Sequence, residues 1–247
     1  MKKIDIKKIK EELKEILKSF ETFERFSSNK EQAYKYAKIF KIKICPYCNI
    51  NYIYTVDDIV RPDFDHFEPK STHPEKELDA NNIIPCCPIC NSRLKKMKEF
   101  NGKTHLHPFK KDFDSIVDFK LDLKATNYLD EENFLIDIVK SKKAKVQDYK
   151  LAQKNIEEFK LIERYQQHKD CAIEILKELK YYHISKKEEI NKLVNMNNKF
   201  YIDYFLSKVS KYKNIDINNV SLGKLKKDIA KRYATQNNKV TLIEKYK

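Results

Sequence analysis

Two short segments each place a pair of cysteines three positions apart: Cys45-Pro46-Tyr47-Cys48 and Cys87-Pro88-Ile89-Cys90. A Cys-x-x-Cys turn presents two thiolates from one knuckle of chain. Two knuckles complete the tetrahedral shell that zinc takes in structural sites. A single pair is compatible with a redox motif, whereas two pairs with the same internal gap point to Cys45, Cys48, Cys87 and Cys90 as the ligands of one structural zinc. Cys86 adjoins the second knuckle, but only Cys87 gives the two-residue gap to Cys90. A closed thiolate shell leaves no position for a substrate, so the zinc is expected to staple a small module whose own core is thin. Cys171 stands alone in a helical pattern and reads as a small core residue.

The N-terminal residues Met1-Lys2-Lys3-Ile4-Asp5 lead into an amphipathic pattern and not into an apolar leader. The sequence holds no run of 18 apolar residues. A cytoplasmic, membrane-free protein with reduced thiols is therefore expected, which favours metal over disulfides. The chain has only two glycines, Gly102 and Gly223. A phosphate-cradling loop of the nucleotide-binding type needs several close together, so any ATPase function must come from a partner.

The formal net charge is +14, and it is unevenly spread. Residues 1–44 carry 13 Lys and Arg against 7 Asp and Glu, and residues 111–247 carry 29 against 21. Residues 45–110 are balanced at 9 against 9. The basic flanks suit a polyanion such as nucleic acid. The alternative is a coding bias toward lysine on a solvated surface.

Periodicity supplies the frame. Ile6, Ile9, Leu13, Ile16, Leu17 and Phe20 recur at helical steps, and a second helix is predicted over 30–41 after the break at Ser27-Ser28-Asn29. Asn51 to Thr55 and Arg61 to Phe67 read as strands. A short helix is predicted from Cys87 to about Glu99. Val117, Phe119, Leu121 and Leu123 alternate with polar residues, and Phe134 to Val139 follows, which predicts a hairpin. Beyond Val146 the chain reads as helical, with stripes through Ala152, Ile156, Phe159 and Ile162, through Ile173, Leu176, Leu179 and Tyr182, and through Ile190, Leu193, Val194, Tyr204, Phe205 and Val209. Ser221 is a candidate cap for a last helix.

Between the knuckles lie Asp65-His66 and Asn82, and Asn91 directly follows the last cysteine. An isolated Asp-His pair is nearly uninformative, and neighbouring strand residues face opposite ways. In this setting it becomes specific. Residues 42–109 resemble the HNH endonucleases, whose core is a ββα-metal finger. Many members carry two Cys-x-x-Cys knuckles, an Asp-His pair, a middle Asn, and an Asn or His after the final Cys. Asp65-His66-Phe67-Glu68-Pro69-Lys70-Ser71, His107-Pro108-Phe109 and Leu161-Ile162-Glu163-Arg164-Tyr165 further resemble nuclease subunits of Septu-type and retron-linked anti-phage systems. Many members also place a Lys three residues after the final Asn. Here that position is Leu94, between Arg93 and Lys95.

The resemblance implies an α+β protein: a zinc-stapled ββα-metal core over 42–110, a helical segment over 1–41, a hairpin over 111–145 and a helical region over 146–247. It implies His66 as general base, Asp65 and Asn91 as ligands of a catalytic Mg2+ or Mn2+, and Asn82 as the residue that orients the histidine or its loop. Lys70, Arg93 and Lys95 are candidate phosphate contacts. His107 is a candidate further metal ligand, but the favoured reading is that His107-Pro108-Phe109 packs the finger against the hairpin, since Asp65 and Asn91 already match the metal positions. The implied activity is hydrolysis of DNA in phage defence, with an ATPase subunit as partner. The rivals are an RNase with the same core and a non-catalytic zinc module that binds nucleic acid or protein.

Overall fold

The structure, a computed structural model, describes residues 6–124, 129–181, 211–212 and 214–236. The predicted stripe from Ile190 to Val209 lies outside them, as does Tyr182. The described chain divides into two compact units, and this division cuts across the four segments read from the sequence. The first holds the residues up to Val117 with Lys140–Leu161 and Asp216–Leu222. The second draws on residues 118–139, 162–215 and 223 onward.

In the first unit, α1 (Ile6–Leu17) buries Leu13, Ile16 and Leu17 along one stripe. The six-residue α2 (Phe23–Ser28) is capped by Thr22, whose hydroxyl accepts from the Arg25 N–H. Asn29 then serves two helices. Its N–H donates to the carbonyls of Arg25 and Phe26, and its Oδ1 accepts from the Gln32 N–H at the start of α3 (Lys30–Ile39). One polar residue thus stops one helix and starts the next. Phe26, Tyr36 and Phe64 pack ring against ring at 5.2–5.6 Å and join α2 and α3 to the finger.

The finger itself departs from the sequence reading. Residues 51–55 form no strand: a single bridge joins Tyr52 to Ile44, and Val56 bridges to Val60. Tyr52 and Tyr54 are exposed, so β-prone residues lack the half-buried surface that a strand needs. The ribbon is instead β1 (Asp63–His66) against β2 (Ile83–Cys86), antiparallel, with Asp65 opposite Ile84 and His66 opposite Ile83. β2 contains Pro85, which discourages a strand assignment. A two-stranded ribbon has only edges, where a proline is tolerated. The predicted helix after the second knuckle is a π-helical turn, Ile89–Lys95, closed by Lys96 N–H to Asn91 C=O at 2.7 Å. After a single turn, α4 (Phe113–Ile116), the chain leaves this unit and returns for α5 (Val146–Glu158). Asn155 of α5 clasps both backbone groups of Leu106, at 2.8 and 2.9 Å, and fixes the segment that carries His105 and His107.

The second unit contains the pair β3 (Val117–Leu123) and β4 (Phe134–Lys140), which alternate as expected: Phe119 and Leu121 face Phe134, Ile136 and Ile138 in a buried layer. Within α6 (Leu161–Gln166), Tyr165 packs on Phe119 at 4.4 Å. α7 (Lys169–Tyr181) packs on α8 (Gly223–Gln236). Ser221 does not cap α8. Its hydroxyl donates to the Ile50 carbonyl at 2.6 Å, in the first unit.

Candidate active site

The four predicted zinc ligands converge. The sulfurs of Cys45, Cys48, Cys87 and Cys90 all lie within 4.8 Å of one another and are buried. A tetrahedral zinc with Zn–S near 2.3 Å sets sulfurs about 3.8 Å apart, so the donor set and spacing fit that ion. Backbone N–H groups point at the sulfurs, from Cys87 to Cys45, from Cys90 to Cys87 and from Ile50 to Cys48, at 3.4–3.5 Å. Burial pushes the Cys45 thiol well up. A thiolate at Cys45 is thus favoured by a neighbouring cation. Purified protein is expected to hold one zinc per chain, and Cys48→Ser to release it and lower the melting temperature. Elemental analysis that finds no zinc in the parent protein would contradict this site.

The two faces of β1 divide the remaining candidates. Alternation along a strand puts Asp63 and Asp65 on one face and Phe64 and His66 on the other. The first face meets the π-helical turn. Asn91 Nδ2 lies 3.3 Å from Asp63 Oδ2, and Lys95 Nζ lies 2.9 Å from Asp65 Oδ1. The spacing matches: two strand residues span about 6.6 Å and one helical turn rises about 5.4 Å. Each strand carboxylate therefore meets one residue of the turn. The family position three residues after the final Asn is Leu94, and here Lys95, four after it, takes the inward place.

Asp65 is bonded at both oxygens. It is 3 % exposed, its Oδ2 accepts from the Tyr47 hydroxyl at 2.6 Å, and its Oδ1 accepts from Lys95. Lys95 is 1 % exposed, also donates to the His66 carbonyl at 2.7 Å, and lies over the Phe100 ring. Burial pushes the Asp65 carboxyl up, and Lys95 and Tyr47 draw it back down. The expectation that Lys95 contacts phosphate is therefore corrected: its ammonium is spent inside the protein. Arg93 is exposed, and Lys70 is partly exposed and paired with Glu24. Asp65 and Asn91, the expected ligands of a catalytic divalent ion, lie on one face but bind different partners. Each Asp65 oxygen accepts one bond, from Tyr47 or from Lys95, and keeps a further lone pair.

His66 sits on the opposite face. Its Nε2 lies 2.8 Å from the Glu77 carbonyl, which makes Nε2 the donor and leaves the Nδ1 lone pair free to accept a proton. Burial lowers the affinity of the ring for a second proton, so the neutral form persists to lower pH than for a free histidine. Asn82 holds the loop that supplies this carbonyl. Its Nδ2 donates to the carbonyls of Glu68 and Lys76 at 2.9 and 3.1 Å, and its Oδ1 accepts from the Glu68 N–H at 2.7 Å. The Phe67 N–H adds a bond to the Asn82 carbonyl.

His107 is not placed as a metal ligand. Nε2 bonds the Asn81 carbonyl at 2.8 Å, Nδ1 accepts from the Phe109 N–H at 3.2 Å, and the ring packs on Phe67. Burial pushes its pKa down to about 4, as suits a neutral ring with both nitrogens in use. Sequence reasoning missed three contributors. Tyr47 lies inside the first knuckle, stacks on Phe159 and holds Asp65. Glu77 acts through its backbone carbonyl, which no residue pattern announces. Phe23 of α2 lies against His66 with ring centroids 4.4 Å apart.

Against known proteins, residues 45–96 match the HNH endonuclease family. No curated protein and no solved structure matches the chain. The matched segment begins at the first zinc knuckle and ends one residue past Lys95, so it contains both strands, the Asp65-His66 pair, Asn82 and Asn91. Over this segment, about a fifth of its length, the chain is similar to the HNH endonucleases.

Proposed function

We propose that this domain hydrolyses phosphodiester bonds of DNA, with His66 as the general base. The observation that carries the reading is the 2.8 Å bond from His66 Nε2 to the Glu77 carbonyl. It fixes the tautomer and aims a basic nitrogen away from the loop, as a base needs. Nδ1 takes a proton from water as the water oxygen attacks phosphorus in line. The P–O bond to the 3′ oxygen breaks and the departing oxyanion takes a proton from solvent water, leaving a 5′ phosphate and a 3′ hydroxyl. Asn82 keeps the Glu77 carbonyl in place through the 68–76 loop, and Arg93 and Lys70 are the accessible cations for flanking phosphates. A divalent ion such as Mg2+ or Mn2+ supplies positive charge near the reacting phosphate in this family. Asp65 and Asn91 are the candidate ligands of that ion, Asp65 through the lone pairs that Lys95 and Tyr47 leave unused.

One observation favours the rival reading of a non-catalytic zinc module: Asp65 is neutralised by Lys95 inside the fold. Incubation of purified protein with plasmid DNA, single-stranded DNA and RNA, each with Mg2+, Mn2+ or chelator, separates the readings. Cleavage of DNA that chelator stops supports the nuclease, RNA cleavage alone moves it to an RNase, and binding without cleavage supports the module. The basic flanks imply a further result. Affinity for DNA, measured with an inactive variant, is expected to fall steeply between about 50 and 200 mM salt as counterions are released. A flat response would leave the lysine excess as a solvated surface. A cytoplasmic defence role with an ATPase subunit rests on the resemblance of Asp65 to Ser71 and of His107-Pro108-Phe109. It is in keeping with a chain whose two glycines rule out a phosphate-cradling loop of its own. Among the described residues no helix is long and apolar enough to cross a membrane.

A further inference from the structure

His66 is only 8 % exposed, although a base for a nucleic acid must meet a water and a phosphate. The group in the way comes from outside the finger. Phe23, at the start of α2, presents its ring to the imidazole at 4.4 Å with the planes 70° apart. The next residue, Glu24, pairs with Lys70, a candidate phosphate contact of the finger. The Lys70 ammonium also lies 5.4 Å from the centre of the Phe23 ring. The Phe23 N–H reaches Glu77 Oε2 at 3.4 Å, beside the carbonyl that holds His66.

We propose that the first turn of α2 is an autoinhibitory lid that occupies the substrate's place over His66, with the Glu24 carboxylate standing where a backbone phosphate meets Lys70. The inference rests on the nuclease reading of His66. The carboxylate is an anion on a cation, as a phosphate would be, and the flat ring beside it fills the space that the water and the scissile group need.

The attachment of α2 is graded along its length, as a lid requires. Phe26 is fully buried among Phe20, Phe64 and Tyr36, and Arg61 binds the Ser27 carbonyl at 3.0 Å, so the later turn is anchored. Phe23 is half-buried and Glu24 exposed. Beyond the Phe23 ring contacts with His66, Phe26 and Lys70, they are held by an exposed ion pair, of a class that contributes little, and by a long amide contact. Substrate phosphate competes for Lys70 directly, so the nucleic acid itself can displace the turn.

The test compares the parent with Phe23→Ala/Glu24→Gln. Glu21→Gln serves as a control, since Glu21 is an equally exposed carboxylate that pairs with Arg25 and not with Lys70. Two readouts are taken: initial cleavage rate at plasmid well below saturation, where a lid that substrate must displace slows the reaction, and the rate at which diethyl pyrocarbonate modifies His66, located by peptide mass spectrometry. The double variant is expected to cleave about tenfold faster, corresponding to roughly 1.4 kcal/mol of lost closure. His66 should be modified several-fold faster, and Glu21→Gln should change neither. Unchanged reactivity of His66 in the double variant overturns the lid, whatever the activity. Faster modification with an unchanged cleavage rate shows a cover that does not inhibit, and also overturns the proposal. If His66 opens in a protein that never cleaves under any metal, the nuclease reading fails first and the inhibitory role falls with it.

Discussion

Replacing His66 by alanine is expected to slow phosphodiester cleavage by about 10²–10⁴-fold, the usual contribution of a positioned base, while zinc content and folding stay as in the parent. The expectation has a structural basis. His66 touches none of the four cysteines. Its ring packs against Phe23 and its Nε2 donates to the Glu77 carbonyl. Alanine removes the Nδ1 lone pair and leaves β1 with its register against β2. The cost to the fold is one hydrogen bond and part of one ring contact, about 1–2 kcal/mol together. Single-turnover cleavage of plasmid, read beside far-UV circular dichroism and zinc analysis, separates chemistry from folding. A His66→Ala protein that cleaves at the parental rate would leave the zinc-stapled finger standing and remove this mechanism. Loss of zinc on the same substitution would mean that the histidine supports the fold.

What could be read from the sequence follows the range of the interaction. Thiolates three apart are a local pattern, so all four cysteine ligands were legible and the sulfurs do converge. Asn29 was legible as a break and cap because capping is decided within four residues. β3 and β4 were legible because their alternation survives intact on a half-buried face. β2 was not, since Pro85 argues against a strand unless the sheet is known to have only two. Residues 51–55 misled in the other direction. Two tyrosines and two isoleucines within Ile50–Tyr54 have strand propensity, but the pairing stops at one bridge, Tyr52 opposite Ile44, held by Cys45 N–H to the Asn51 carbonyl and Ile53 N–H to the Lys43 carbonyl. The engagement of Asp65 by Tyr47 and Lys95 joins residues 18 and 30 positions apart. Nothing local announces it, and a lysine beside a loop is more often solvated than buried. For His107 the sequence favoured packing over metal ligation, and its bonds to the Asn81 carbonyl and the Phe109 N–H, with the clasp of Leu106 by Asn155, are packing contacts.

The second large effect is expected at Lys95. Lys95→Met keeps much of the stem's volume and removes the ammonium, leaving the Asp65 carboxylate buried with only the Tyr47 hydroxyl. Breaking a buried ion pair from one side typically costs about 3–5 kcal/mol, because the remaining charge is stranded in a poor solvent. For a chain of this size each kcal/mol corresponds to roughly 2–4 °C in melting temperature, so a fall on the order of 10 °C is expected. The His66 carbonyl loses a donor as well, which adds to the cost. The sign with pH follows from the carboxyl. Burial already raises the Asp65 pKa above its unfolded value, and removing Lys95, the largest opposing influence, raises it further. Between the unfolded and folded values the native state then binds more protons than the unfolded state. Stability falls as pH rises through that window, and Lys95→Met should regain part of its loss on acidification. Asp65→Asn/Lys95→Met removes the stranded charge while Asn can still accept from Tyr47, and it should recover a large part of the loss at neutral pH. Thermal melts of the parent, the single and the double variant at two pH values contain the whole argument. A Lys95→Met protein as stable as the parent, or a double variant no better than the single, would mean that this ammonium and carboxylate do not form the buried pair on which the inner face of the finger is built.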